Sequence, residues 1–148
     1  MTDVSVDSAS SRYRIYGAEL SPYSVKVRSY FRFKQIPHQW IIRSTDTMDD
    51  FAKFAKLPII PLVVSPQLQG AQDSTLIIQH LESEHQKDSI YPQDTTVNFV
   101  STLLEEFGDE WGNKWMFHYR WARDIDQLAS ARRIAQLTQP DANAEQLD

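Results

Sequence analysis

Apolar and polar positions first alternate at residues 12–16, where Tyr13 and Ile15 interleave with Arg12, Arg14 and Tyr16 in the two-residue period of a strand. The Ser/Asp-rich residues 1–11 before it read as a disordered lead-in, with order beginning near Arg12. After a Ser-Pro-Tyr-Ser loop the period lengthens. Val27, Tyr30, Phe31 and Lys34 share one helical face, and Pro37 closes the segment. His38 to Ile42 supply a second β-rich run. Thr45 and Asp46 are placed to cap a short helix carrying Met48, Phe51, Ala52 and Ala55, before "KLPIIPLVV" brings two prolines to a third strand, Leu62 to Val64. Pro61 suits the first position of that strand because it need not donate to the ladder. Gly70 is expected to end a brief fourth strand around Leu68. Asp73 or Ser74 then caps a helix that buries Ile77, Ile78 and Leu81. The predicted order is βαβαββα. Beyond it, Val97, Val100, Leu104 and Phe107 form a helical stripe ending at Gly108, as for a helix packed on the first domain.

Composition narrows the functional classes. A chain of 148 residues with 41% hydrophobic content is enough for one compact domain and part of another. The net charge of −5 and scattered Lys and Arg give no footprint for gripping phosphate backbones, so nucleic acid is not an expected partner. No apolar run approaches the roughly 20 residues that cross a bilayer. The start MTDVSVDSASS also lacks the basic and apolar blocks of a secretory signal, which leads to an expected cytoplasmic location without membrane partners. With no cysteine, the chain has no disulfide staple and cannot perform dithiol redox chemistry.

The stretch "LSPYSVKVR" at residues 20–28 keeps the spacing of a Cys-x-x-Cys loop with hydroxyls in place of both sulfurs. Any sulfur chemistry there must use a sulfur from another molecule. A helix starting near Ser24 presents unpaired N–H groups and a partial positive charge above the loop, where a thiolate is favoured. A Ser21 hydroxyl donating to that thiolate contributes roughly 1.5–3 kcal/mol, which lowers a thiol pKa by about one to two units. The competing reading of Ser21 is a plain turn serine before proline. Ser24 is expected to be the helix cap. His80 and Glu84 lie one helical turn apart, but two ligands without a third are usually a solvated face, and no metal is assigned.

Three segments, "SPYSVKVR", "IIPLVV" and "QDSTLIIQHL", stand in the order and roughly the spacing used by the soluble glutathione transferases, which this sequence resembles over about residues 12–85. Residues 92–137 are less specifically similar to the first helices of the family's second, all-helical domain. The resemblance implies an α/β fold: a thioredoxin-like N-terminal domain over residues 12–87, followed at 92–148 by part of an all-α domain. The tail "QPDANAEQLD" reads as a helix approach that has been cut off, so a fragment of a longer protein is expected. The implied function is a glutathione transferase, with glutathione as co-substrate and an electrophilic small molecule as its partner. Ser21 occupies the leading loop position, where serine-type and cysteine-type members place the activating group. Tyr16, at the strand end where tyrosine-type members carry their hydroxyl, is the substitute.

A cis Ile60–Pro61 bond, where cis is cheap, would turn the Ile60 main chain toward an extended peptide. Asp73 and Ser74 open the next helix, with Ser74 placed to hold the γ-glutamyl carboxylate; an ordinary N-cap pair is the competing reading. Trp111, Trp115 and Tyr119, spaced i, i+4 and i+8, read either as the wall of an electrophile pocket or as a helix–helix or homodimer contact. One departure is Ile59, which stands where the family often has a polar residue that helps to hold glutathione. It favours the alternative function, a non-catalytic thioredoxin-fold binding or scaffold module that keeps the peptide groove.

Overall fold

The computed structural model describes residues 12–140. The expected lead-in at residues 1–11 and the end of the chain from residue 141 lie outside them. The chain divides into two compact units, Met1–His80 and Leu81–Asp148.

In the first unit the element order is β1 (Tyr13–Gly17), α1 (Pro22–Phe33), β2 (His38–Ile42), α2 (Met48–Ala52), β3 (Leu62–Val64), β4 (Gly70–Gln72) and α3 (Ser74–Glu84), the last of which runs across the division. The strands form one mixed sheet in the order β2-β1-β3-β4, with β1 parallel to β2 and antiparallel to β3, and β4 antiparallel to β3. β1 and β3 are central, so Ile15, Tyr16 and all three residues of β3 are buried although successive side chains point to opposite faces. On one face Tyr16, Leu62 and Val64 pack with Phe51 of α2, joined by Ile41, Met48, Phe54, Ala55 and Ile60. On the other, the Tyr13 and Phe31 rings meet edge to face at 5.3 Å, which places α1 there with Val27, Tyr30 and Phe31 buried.

Several local expectations are corrected. The α1 cap is Ser21, not Ser24: Ser21 has extended backbone angles and its Oγ accepts the Ser24 N–H at 3.2 Å, while Ser24 sits inside the first turn, fully buried. The short helix α2 follows Thr47 rather than Thr45 or Asp46. The Thr47 hydroxyl accepts the Ser44 N–H and donates to Ile42 O, holding the entry turn, and Ala55 falls beyond the helix. Gly70 begins β4 instead of ending it. Leu68 occupies the left-handed region at φ 63° inside the turn that Ser65 and Gln69 close, so strand pairing starts only where Gly70 meets Val64.

The second unit continues with α4 (Thr95–Glu106), a π-helical segment (Phe107–Gly112), α5 (Asn113–Trp121) and α6 (Asp124–Thr138). Asp94 caps α4 by accepting the Thr96 and Val97 N–H groups at 2.9 Å each. Gly108 does not stop the helix. A glycine terminates a helix through a left-handed φ, and none of the chain's glycines has a positive φ. The stripe Val97, Val100, Leu104 and Phe107 is not core either, because all four side chains are exposed.

Candidate functional site

Three chain segments converge at one end of the sheet because of strand register. Tyr16 pairs with Leu62 and Leu62 with Gln72, so the end of β1, the start of β3 and the end of β4 are neighbours. From that end leave the loop to Ser21, the Ile60–Pro61 pair and the Asp73–Ser74 pair. The first unit therefore gathers Ser21, Ile60, Pro61, Asp73 and Ser74 around the edge made by these strand ends. Lys26 Nζ donates to Thr75 Oγ1 at 3.4 Å, which ties α1 to the first turn of α3.

Ser21 sits at the start of α1 with its N–H donating to Ala18 O at 3.0 Å and its C=O accepting the first helical bond from Val25. Its Oγ spends a lone pair on the Ser24 N–H and keeps its own proton. Ser24 Oγ is buried without a hydrogen-bond partner, pressed toward Gly17. Only glycine fits at 17: a Cβ there would lie 2.5 Å from the Trp40 ring and 2.8 Å from Ser24 Cβ. The loop before Ser21 is braced by Glu19, whose carboxylate receives both terminal nitrogens of Arg28 at 2.5 and 2.8 Å, and the Arg28 guanidinium lies 4.3 Å from the centroid of the Trp40 ring.

Tyr16 lies on the sheet face opposite α1. It lies on the α2 face, fully buried, and its hydroxyl donates to Asp50 Oδ2 while receiving Arg14 Nη1 at 3.2 Å. Burial and the Asp50 hydrogen bond push the Tyr16 pKa up to about 12, against the weaker lowering effect of Arg14. The same hydrogen bond, with Lys53 and Arg14 nearby, holds Asp50 below its ordinary value despite partial burial.

The Ile60–Pro61 peptide bond is cis, with Pro61 buried and Ile60 half-buried. Asp73, at φ 77°, is the residue that caps α3: its Oδ1 accepts the N–H groups of Thr75 at 3.0 Å and Leu76 at 3.2 Å. Ser74 beside it is buried. Trp111, Trp115 and Tyr119 belong to the second unit and are 60%, 57% and 62% exposed; Trp115 stacks edge to face with Phe107, and Lys114 Nζ lies 4.3 Å from the Trp111 ring centroid. Among the described residues no group of His, Asp or Glu is placed to hold a metal ion. No helix among them is long and apolar enough to cross a membrane.

Residues 15–89, just over half of the chain, match the model of the glutathione S-transferase N-terminal domain. The chain belongs to the glutathione S-transferase family. Its fold is similar to that of a Methylobacterium radiotolerans glutathione S-transferase solved with glutathione sulfonate, at 22% identity and a TM-score of 0.60 over 92% of this chain and 58% of that one. A glutathione S-transferase from Rhodospirillum rubrum matches at 20% identity and a TM-score of 0.68, over 84% and 58% of the two chains. A third, from Methylobacillus flagellatus with glutathione bound, matches at 19% identity and 0.57, over 92% and 59%. The chain thus spans under two thirds of the length of these structures. No curated protein sequence matches it.

As a glutathione S-transferase chain, it places the sequence-derived residues of its first half at a single edge and leaves Trp111, Trp115 and Tyr119 in another unit. Two features of that edge escaped pattern reading. The Glu19–Arg28 brace was hidden because charged residues nine apart in a loop and a helix have no characteristic spacing. Gln72 carries no signal in the sequence because its partners are main-chain groups of residues 56–59.

Proposed function

We propose that this chain binds glutathione along the sheet edge formed by Ser21, Ile60–Pro61 and Asp73–Ser74, and that Ser21 stabilises its thiolate for attack on an electrophilic small molecule. The observation that carries the reading is the state of the Ser21 hydroxyl: it caps α1 through a lone pair, so its proton is available to a sulfur lying over the helix start. The cysteinyl part of the peptide pairs with the Ile60 main chain, in the manner of an added strand. Its γ-glutamyl carboxylate meets the Ser74 end of α3, and its ammonium meets the Asp73 oxygen not used in capping. The thiol proton leaves to solvent. The sulfur electron pair then forms the C–S bond, and a leaving group departs with its bonding pair or, in an addition, the neighbouring atom takes up a proton. Residues 12–87 are the glutathione-binding domain in this reading, and 92–148 belong to the helical one.

The test is an ultraviolet titration of glutathione bound to the chain. Ser21→Ala is expected to raise the bound thiol pKa by about one to two units, the equivalent of one hydrogen bond to a charged group, and Ser21→Thr to restore it. An unchanged pKa in Ser21→Ala removes Ser21 from the chemistry. A second reading, a binding module without turnover, draws on Ile59, which is 51% exposed and brings no polar side chain to the edge. Binding of glutathione with no lowering of its thiol pKa in the unaltered chain would select that reading.

A further inference from the structure

Gln72 is the last residue of β4 and pairs with Leu62, so its side chain leaves the sheet on the face where α2 packs. There it meets residues 56–59, which belong to no helix or strand and lead directly into Ile60–Pro61. Its Oε1 accepts the N–H groups of Lys56 at 2.9 Å and Leu57 at 3.0 Å, and its Nε2 donates to Leu57 O at 2.8 Å and Ile59 O at 2.7 Å. Those four bonds use the whole capacity of a carboxamide, two lone pairs and two N–H groups, and only one orientation of the amide satisfies them. Gly70, two residues earlier on the same face, makes room for the same segment, since a Cβ there would lie 2.3 Å from Phe54 O. The face of β4 that carries Gly70 and Gln72 is therefore shaped to receive residues 54–59.

The neighbour of Gln72 is Asp73, which caps α3. One residue thus fixes the segment entering Ile60–Pro61 relative to the start of α3, and these are the two places where the proposed function puts different parts of one peptide. We infer that Gln72 is a positioning residue for glutathione: its amide sets the separation between the Ile60 main chain and the Asp73–Ser74 helix start. The inference rests on the proposed glutathione site. A ligand held at two points binds best when the distance between them is set before it arrives, because ordering costs are then not charged against binding.

The experiment uses the full 148-residue chain and reduced glutathione, with affinity from calorimetry, bound-thiol pKa from ultraviolet titration, and amide hydrogen exchange of the free protein. Gln72→Ala is expected to weaken glutathione binding about tenfold, the effect of losing roughly one well-made interaction. It should speed exchange at Lys56 and Leu57 while the bound-thiol pKa stays where it was, because Ser21 is untouched. Gln72→Glu keeps the side-chain volume and both acceptors but sets a carboxylate against two carbonyls. It should show the same loss and supplies the reading if Gln72→Ala does not fold. Gln35→Gly, altered beyond the far end of α1 from Ser21, is the control and should bind as the unaltered chain does. Unchanged affinity in both Gln72 variants, with or without faster exchange, overturns the inference and leaves the proposed function standing. An unaltered chain that does not bind glutathione overturns both.

Discussion

Tyr16 carries a large electrostatic perturbation, and its direction gives stability one dependence on pH. Its folded pKa is raised from 10.0 to about 12, first by burial and then by the hydrogen bond to Asp50, so the folded protein holds this proton more tightly than the unfolded chain. The resulting stabilisation is complete below about pH 10 and is lost as pH rises toward 12. Asp50 is displaced the other way from 3.8, chiefly by the same hydrogen bond, so its contribution is complete above that value and disappears as acid protonates it in the folded state. Urea unfolding across both ranges should show an alkaline loss that Tyr16→Phe abolishes. At neutral pH that variant should cost about 1 kcal/mol, one buried hydrogen bond. An alkaline slope identical in Tyr16→Phe would assign the loss to another group. Loop spacing makes Ser21 a candidate in the sequence, while the cap expected at Ser24 is Ser21 in the structure, because either serine satisfies the composition rule and only backbone angles distinguish them. Gln72 was invisible for a different reason: its hydrogen bonds reach main chain 13–16 residues away, which no side-chain pattern encodes.

At the scale of elements, the first unit was legible because its strands and helices change period abruptly and are separated by Pro, Gly or Ser. The ends of elements were less so. Pro37 appeared to close α1, yet the helix ends earlier, at Phe33, in a paired closure: Ile36 N–H bonds Phe31 O at 2.9 Å and Gln35 N–H bonds Arg32 O at 3.1 Å. This closure places Gln35 in the left-handed region at φ 54°, where a Cβ is disfavoured and glycine is the usual occupant. A sequence with Gln at that position gives no stop signal, so Pro37 attracted the boundary instead. Gln35→Gly is accordingly expected to stabilise the protein by about 0.5–1 kcal/mol, the left-handed penalty relieved less the extra freedom of the unfolded glycine. Urea midpoints at unchanged slope measure it. A loss of stability would mean that Gln35 holds the closure through its side chain.

For the whole molecule, the contrast lies between an apolar pattern that finds its core and one that does not. Ile77 and Ile78 were predicted buried and are; Val97, Val100, Leu104 and Phe107 show as regular a stripe on α4 and stand 52%, 46%, 64% and 47% exposed. Periodicity reports that a helix has an apolar face and is silent on what covers it. Exposed apolar side chains contribute little to the stability of the state in which they are exposed, whereas a buried leucine reduced to a small residue costs about 2–5 kcal/mol. Val100→Gln and Leu104→Gln put a good helix former at each position of α4 and remove apolar surface. Each is expected to change unfolding free energy by no more than about 0.5 kcal/mol and to lower the binding of a hydrophobic fluorescent dye to the native chain. A cost of 2 kcal/mol or more for either would show that the stripe is covered in solution. If that cost grew with protein concentration, the cover would be a second copy of the chain, since only an association between copies makes stability depend on how much protein is present.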